Sequence, residues 1–363
     1  MERSVILLVA LSVIFGTLWA NSTIPTHPIS SVTLNAPPNS NIVSASGWLN
    51  NNPAFTPSGA PKIDYPPNYT LFANYVLRII NSERATAGEP PVTLSSIPSA
   101  QQHADSMAYY GYFSHWDTQG YKPYMRYTLL GGSGSVAENV GLSYCTTSPA
   151  TADMVTVSSC SLATIENALN NSEWQMFYND FACCGNGHRD NILNPFHNRV
   201  SIGIAWNTTT SAVYLVEDFE NSYFSNFSIQ QSGGTVRISA ETSQYIDLRE
   251  ASISVYYDPP PSNMTLNELD LTGAYGPGTF AGSVFPPCPT GFICSSQGPG
   301  ANVYASEWTT TPDISILFSI QPFIDKYGPG VYTLYLFPSQ NPNDSLTSIS
   351  ILVSYPAING GAS

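Results

Sequence analysis

The hydrophobic pattern of this 363-residue chain changes period near Asn221, and that change bounds what the chain can fold into. Upstream, Leu71, Phe72, Tyr75, Val76, Ile79 and Ile80 recur at three- and four-residue steps, which puts them on one helical face. Gly88 and the Pro90-Pro91 pair stop that helix. A second helix is expected over 98–110, with Ala100, His103, Ala104 and Met107 on one side and Gly111 as its stop. A short helix over 124–130 closes on Gly131-Gly132, and a third long helix covers 162–178. Residues 136–144, 199–206 and 212–219 read as strands, the last two joined by the hairpin signal Asn207-Thr-Thr-Thr. Helices alternating with antiparallel-looking strands predict a layered α/β domain over 69–221.

Downstream, β-branched and aromatic runs at 235–239, 252–258, 314–320, 331–337 and 348–355 are separated by Pro/Gly turns. Ile349, Ile351, Val353 and Tyr355 alternate with Ser348, Ser350 and Ser354, the two-residue period of a half-buried strand. An all-β sandwich over 225–357, needing no helix, is the expectation.

The N-terminal pattern and the composition lead to an expectation of export. Arg3 precedes an apolar run from Val5 to Ala20, which reads as a signal peptide over 1–20 and is short for a transmembrane helix. Leu18 is a poor residue for cleavage after Ala20, so an uncleaved anchor is the alternative; after cleavage no integral membrane segment is expected. Residues 21–68, rich in Pro, Ser and Asn, read as an arm or linker. Only 10% of residues are charged, and the formal net charge is −14. Eleven scattered basic residues cannot make a phosphate-tracking stripe, which excludes nucleic acid as a partner. Six cysteines suit an oxidising compartment. Cys288 and Cys294 flank a short Pro/Gly loop and are expected to pair. Cys145, Cys160, Cys183 and Cys184 permit three connectivities. With no Cys-x-x-Cys spacing, a Zn–thiolate site is a poor alternative. Asn-x-Ser/Thr sequons begin at Asn21, Asn68, Asn170, Asn207, Asn226, Asn263 and Asn343, consistent with a glycoprotein.

Three short strings carry the chemistry. They are Phe113-Ser114-His115-Trp116-Asp117, Ala137-Glu138-Asn139-Val140-Gly141 and Gly187-His188-Arg189-Asp190-Asn191-Ile192-Leu193. Each holds one potential metal ligand. Two neutral imidazoles with carboxylates nearby suit Zn²⁺ or another divalent ion, with water completing its shell. For an isolated histidine, a simple hydrogen-bonding role would be the better reading; three such strings in one chain argue for a site. His103 reads as a packed core histidine, His197 as a polar-turn residue and His27 as part of the arm. Arg189 and Asp190 read as structural. Cys183-Cys184 reads as a staple for the loop that presents His188.

In order and spacing these strings resemble the CAP (SCP) superfamily of secreted proteins, in wording similar to its prokaryotic members. Ile80-Asn81-Ser82-Glu83-Arg84 with Gly88 and Pro91 looks like that family's first helix and exit, and Val200-Ser-Ile-Gly203-Ile-Ala like its strand after the second histidine. The resemblance implies an α-β-α sandwich and a His-Glu-Glu-His tetrad. His115, Glu138 and His188 match three members; Glu173 is the choice for the fourth, Glu166 the weaker one. It further implies lipid, glycan or protein ligands. There is no His-Glu-x-x-His helix and no Gly-x-Ser-x-Gly elbow. The expectation is therefore an exported or cell-surface binding module. It would hold a divalent ion on His115 and His188, with Glu138 and Glu173 orienting water. A metal-dependent hydrolase using the same residues and a structural envelope component are the alternatives.

Overall fold

The computed structural model describes residues 66–146 and 160–354, apart from 233, 243–245, 250, 295–299, 311–312, 340 and 342, together with the strand 41–43. The expected leader and nearly all of the arm lie outside the described residues. Among the described residues no helix is long and apolar enough to cross a membrane.

The first half is the expected α-β-α sandwich. Its sheet contains β2 (Thr93–Leu94), β3 (Ser135–Tyr144), β4 (Arg199–Asn207) and β5 (Ala212–Asn221) in the order β2-β4-β5-β3, so β3 is an edge strand. On one face lie α1 (Tyr69–Ala87), α4 (Leu162–Tyr178) and α6 (Gly187–Leu193). Phe72, Val76 and Ile80 of α1 and Ile165 and Leu169 of α4 pack there against Val200, Ile202, Leu215 and Phe219. Burying side chains of this size stabilises by about 1.5–3 kcal/mol each. On the other face lies α2 (Ser99–Tyr110), whose Ala100, Ala104 and Met107 meet Val140, Ala205, Tyr214 and Val216. Gly203 of β4 allows that approach: a Cβ there would lie 2.0 Å from the Ala100 carbonyl oxygen. The short helices α3 (Pro123–Leu129) and α5 (Phe181–Cys184) complete this half.

The opening motif of α1 is structural glue. Asn81 exchanges two hydrogen bonds with the Val92 backbone. Buried Arg84 donates to the carbonyls of Pro90, Ile192, Asn194 and His197, and so ties the exit of α1 to the end of α6.

The second half is a two-sheet sandwich. One sheet, in the order β1-β14-β13-β8-β9-β10, is built from β1 (Asn41–Val43), β8 (Ser252–Asp258), β9 (Thr279–Phe285), β10 (Ala301–Tyr304), β13 (Gly330–Phe337) and β14 (Ile349–Ser354). The other, β11-β12-β7-β6, uses β6 (Phe224–Ser232), β7 (Thr235–Thr242), β11 (Glu307–Thr310) and β12 (Asp313–Ser319). Val236, Ile238, Ile314 and Phe318 of the smaller sheet share one core with Ile253, Val255, Leu334 and Ile351 of the larger. The expectation that no helix is needed is corrected by α7 (Leu266–Asp270) and α8 (Gln321–Tyr327). α7 starts from a reciprocal cap between Thr265 and Glu268, a local signal that the strand-like surroundings obscured.

Polar contacts join the two halves. Lys122 Nζ meets Asp258 Oδ1 at 2.7 Å and the Tyr124 hydroxyl donates to Asp258 Oδ2 at 2.8 Å. Ser135 and Ser345 hydroxyls lie 2.7 Å apart. The backbone N–H groups of Val136 and Glu138, two outward donors of β3, go to the hydroxyls of Ser348 (3.2 Å) and Tyr275 (2.7 Å).

Candidate functional site

Successive side chains of a strand point to opposite faces, and β3 uses this to build two half-sites. Glu138 points into the α2 layer and Asn139 into the α4 layer. The turn after α2 brings in His115 beside Glu138, and α6 brings in His188 beside Asn139, near enough for the two imidazoles to influence each other electrostatically.

His115 is fixed by a buried polar network. Gly111 ends α2 in the left-handed region at φ 75°, and the chain turns toward His115. The Glu138 carboxylate accepts from His115 Nδ1 at 2.9 Å and from Arg126 Nη2 at 2.6 Å. Arg126 Nη1 donates to the His115 and Tyr121 carbonyls at 2.8 and 2.7 Å, so one guanidinium holds both the carboxylate and the histidine backbone. Burial pushes the Glu138 carboxyl up to about 7, against the opposing pull of Arg126. Asp218 sits opposite Glu138 on β5 and takes the Ser99 hydroxyl. Burial, then the Glu138 charge, pushes Asp218 well above the usual carboxylate range. Burial first, then electrostatic interaction with His188 and Arg126, pushes the His115 imidazole down to about 3. His115 is thus neutral at physiological pH. With Nδ1–H given to Glu138, its Nε2 keeps a free lone pair.

His188 has a parallel arrangement with a different acid. Asp180 Oδ1 lies 2.6 Å from His188 Nδ1, while Asp180 Oδ2 accepts the backbone N–H groups of His188 (2.9 Å) and Arg189 (3.2 Å). Asn139 clamps the same segment from the sheet: its amide donates to the His188 carbonyl at 3.1 Å and its carbonyl oxygen accepts from Asn191 at 2.9 Å. The Ala137-Glu138-Asn139 string therefore serves both histidines, one from each face.

The acid beside His188 is thus Asp180. Glu173, the sequence choice, is fully buried among other acids. Burial, then the charge of Glu217, pushes its carboxyl well up. Glu83 is nearby, raised to about 8 by burial and by Glu217. Glu83 and Glu173 line a cavity of about 310 Å³ between α1 and α4, rimmed by Tyr75, Trp174 and Tyr178. In the sequence Asp180 is only an acid at the exit of α4, eight residues before His188, and that spacing alone names no partner. Glu166 is half-buried on α4, where its charge acts on Tyr75 at the cavity rim.

His103 is buried and donates Nε2–H to the Ser114 carbonyl at 2.7 Å, with Glu138 Oε1 at 3.9 Å. It props the turn that carries His115. His197 stacks on Phe219, with Nδ1 2.7 Å from Asn221 Oδ1. The cysteines pair as Cys145–Cys160, Cys183–Cys184 and Cys288–Cys294.

Taken with its sheet, this is a single-sheet α-β-α domain whose edge strand aligns two histidine–carboxylate pairs. Residues 77–219 match the family model described as CAP, the cysteine-rich secretory protein family, and the chain carries a CAP superfamily domain. No curated protein matches the chain.

Proposed function

We propose that this protein is an exported or cell-surface binding module, with domains at 69–221 and 225–357, that holds a divalent ion, Zn²⁺ by donor type, on His115 and His188. The observation carrying this reading is that each imidazole has its Nδ1 against a carboxylate, Glu138 or Asp180, which leaves Nε2 as the donor. A carboxylate behind a ligating histidine fixes its tautomer and raises its basicity. Two protein ligands leave positions for water or for a group of the bound partner. The signal-like leader, the low charge and three disulfides support export. The groove between α1 and α4 is large enough for part of a lipid or glycan; aromatic rims suit apolar chains and sugar faces alike. Protein partners remain in the same class of reading.

A metal-dependent hydrolase is the second reading, favoured by Glu138, a carboxyl raised to about 7 beside His115. A bound divalent ion would there supply a polarised water. Calorimetric titration of the mature, oxidised protein with Zn²⁺, beside His115→Ala and His188→Ala, tests the ion site. Binding lost in both variants supports it; binding unchanged in the double variant overturns it. Hydrolytic turnover that disappears with His115→Ala would select the enzyme.

A further inference from the structure

The cysteine pair beside His188 forms a second donor set. Ligand atoms of Asp180, Cys183, Cys184 and His188 all lie within 4.8 Å of one another. No other group of three or more metal-ligating side chains meets that closeness among the described residues. Two sulfurs, an imidazole nitrogen and a carboxylate oxygen are the mixed set that borderline-soft cations such as Zn²⁺ take tetrahedrally. Cys183 Sγ lies 3.6 Å from Asp180 Oδ1. With Zn–S near 2.3 Å and Zn–O near 2.0–2.2 Å, the sulfur–oxygen edge of a tetrahedron is about 3.5 Å. Asp180 has Oδ2 tied to two backbone N–H groups and Oδ1 against His188 Nδ1 at 2.6 Å, so a cation entering here would take the place of the proton between Oδ1 and the imidazole, and the two groups would open to the edge of a tetrahedron, about 3.4 Å.

In the oxidised chain Cys183 and Cys184 are joined to each other, and both are exposed to solvent. We propose that reduction of the Cys183–Cys184 disulfide opens a thiolate site for a borderline-soft divalent cation, with Cys183, Cys184, His188 and Asp180 as its four ligands. A dithiol reductant supplies the chemistry. The Cys183–Cys184 bond breaks, a disulfide forms within the reductant, and two electrons and two protons pass to the cysteines. Cation binding then releases both thiol protons to solvent. The two sulfurs must separate to the edge length of a tetrahedron, about 3.8 Å, and rotation of two exposed side chains provides this. His188 cannot serve this site and the His115 site together, so the state of one bond would decide which set of ligands holds the ion. This goes beyond the proposed function and needs neither His115 nor Glu138.

The test uses the full mature chain, reduced with dithiothreitol and desalted without oxygen, then titrated with Cd²⁺. The readout is the ultraviolet thiolate-to-cadmium charge-transfer band. Reduced wild type should show the band at one equivalent, and the oxidised protein should not. Zn²⁺ affinity should rise roughly tenfold or more on reduction. Cys183→Ser/Cys184→Ser should abolish the band. With Cys145, Cys160, Cys288 and Cys294 replaced by serine, the reduced chain should keep it. His115→Ala should keep the band. A reduced wild type without the band, an equal band in the double-serine variant, or loss of the band in His115→Ala would overturn the proposal. Failure of the His115 site shows instead in the oxidised protein, so the two outcomes are separable.

Discussion

Tyr275, from the second half of the chain, lays its ring against His115, with ring centroids 4.8 Å apart. Its hydroxyl also accepts the Glu138 backbone N–H at 2.7 Å. Thr272, three residues earlier, places its hydroxyl 2.6 Å from that of Ser114. The β-sandwich thus supplies one wall of the His115 half-site. Tyr275→Phe removes only the hydrogen bond and should cost about 0.5–1.5 kcal/mol of stability. Tyr275→Ala also frees the His115 ring and should weaken Zn²⁺ binding. Calorimetry on both variants checks this; unchanged affinity in Tyr275→Ala would show that the wall does not position the imidazole.

Asp180, rather than Glu173, should control the His188 half-site. Asp180→Asn should weaken Zn²⁺ binding by about 10–100-fold, the usual effect of losing the carboxylate behind a ligating histidine. Glu173→Gln should leave affinity unchanged. Equal losses in the two variants would return Glu173 to the site.

Arg126 and Glu138 form an ion pair with both side chains almost wholly buried. Arg126→Met leaves Glu138 without its cation, and unfolding should become easier by about 3–5 kcal/mol. The double variant Arg126→Met/Glu138→Gln should recover part of that loss. Urea titrations of the three proteins measure it. A single variant as stable as wild type would mean that the pair is not buried in solution.

The acids between α1 and α4 set a pH dependence. Glu83 is raised to about 8 and Glu173 is raised well above its usual range, both first by burial. The folded chain therefore keeps protons that the unfolded chain releases from about pH 4.3 upward. Their contribution to stability is full below that pH and is lost progressively as pH rises toward 8. Buried histidines act in the opposite sense: His115 and His197 are pushed down to about 3 and about 4 by burial. They cost stability as pH falls below roughly 6.5. The difference between wild type and Glu83→Gln isolates the acid. Glu83→Gln should raise the melting temperature more at pH 8 than at pH 5. A constant difference would place Glu83 in solvent.

The sequence was most readable where local physics decides. Gly88 and Gly111 end α1 and α2 with φ of 82° and 75°, as glycine stops should. Alternation along 348–355 marked β14, whose Ile349, Ile351 and Val353 are buried. β6 was missed because its Ser- and Gln-rich strand is largely exposed and shows no apolar alternation. β10 pairs in parallel with β9, a relationship that depends on tertiary packing and leaves no local trace. At the site, His115, Glu138 and His188 could be read from their strings, because each string also holds the residues that fix its backbone. Asp180 could not, since its role depends on the reversal through Gly185 and Asn186, with φ of 60° and 73°, that folds α6 back onto it.

The outward N–H groups of Val136 and Glu138 have a consequence for how the protein survives on its own. An edge strand with free main-chain donors is a template on which another chain can add a strand. Here Ser348 and Tyr275 occupy those two donors. The β-sandwich therefore acts as a guard for the sheet beside it, whatever it binds. A fragment ending near Asn221 would keep both histidines but expose that edge, and it would be prone to aggregate through β3, the strand that carries Glu138.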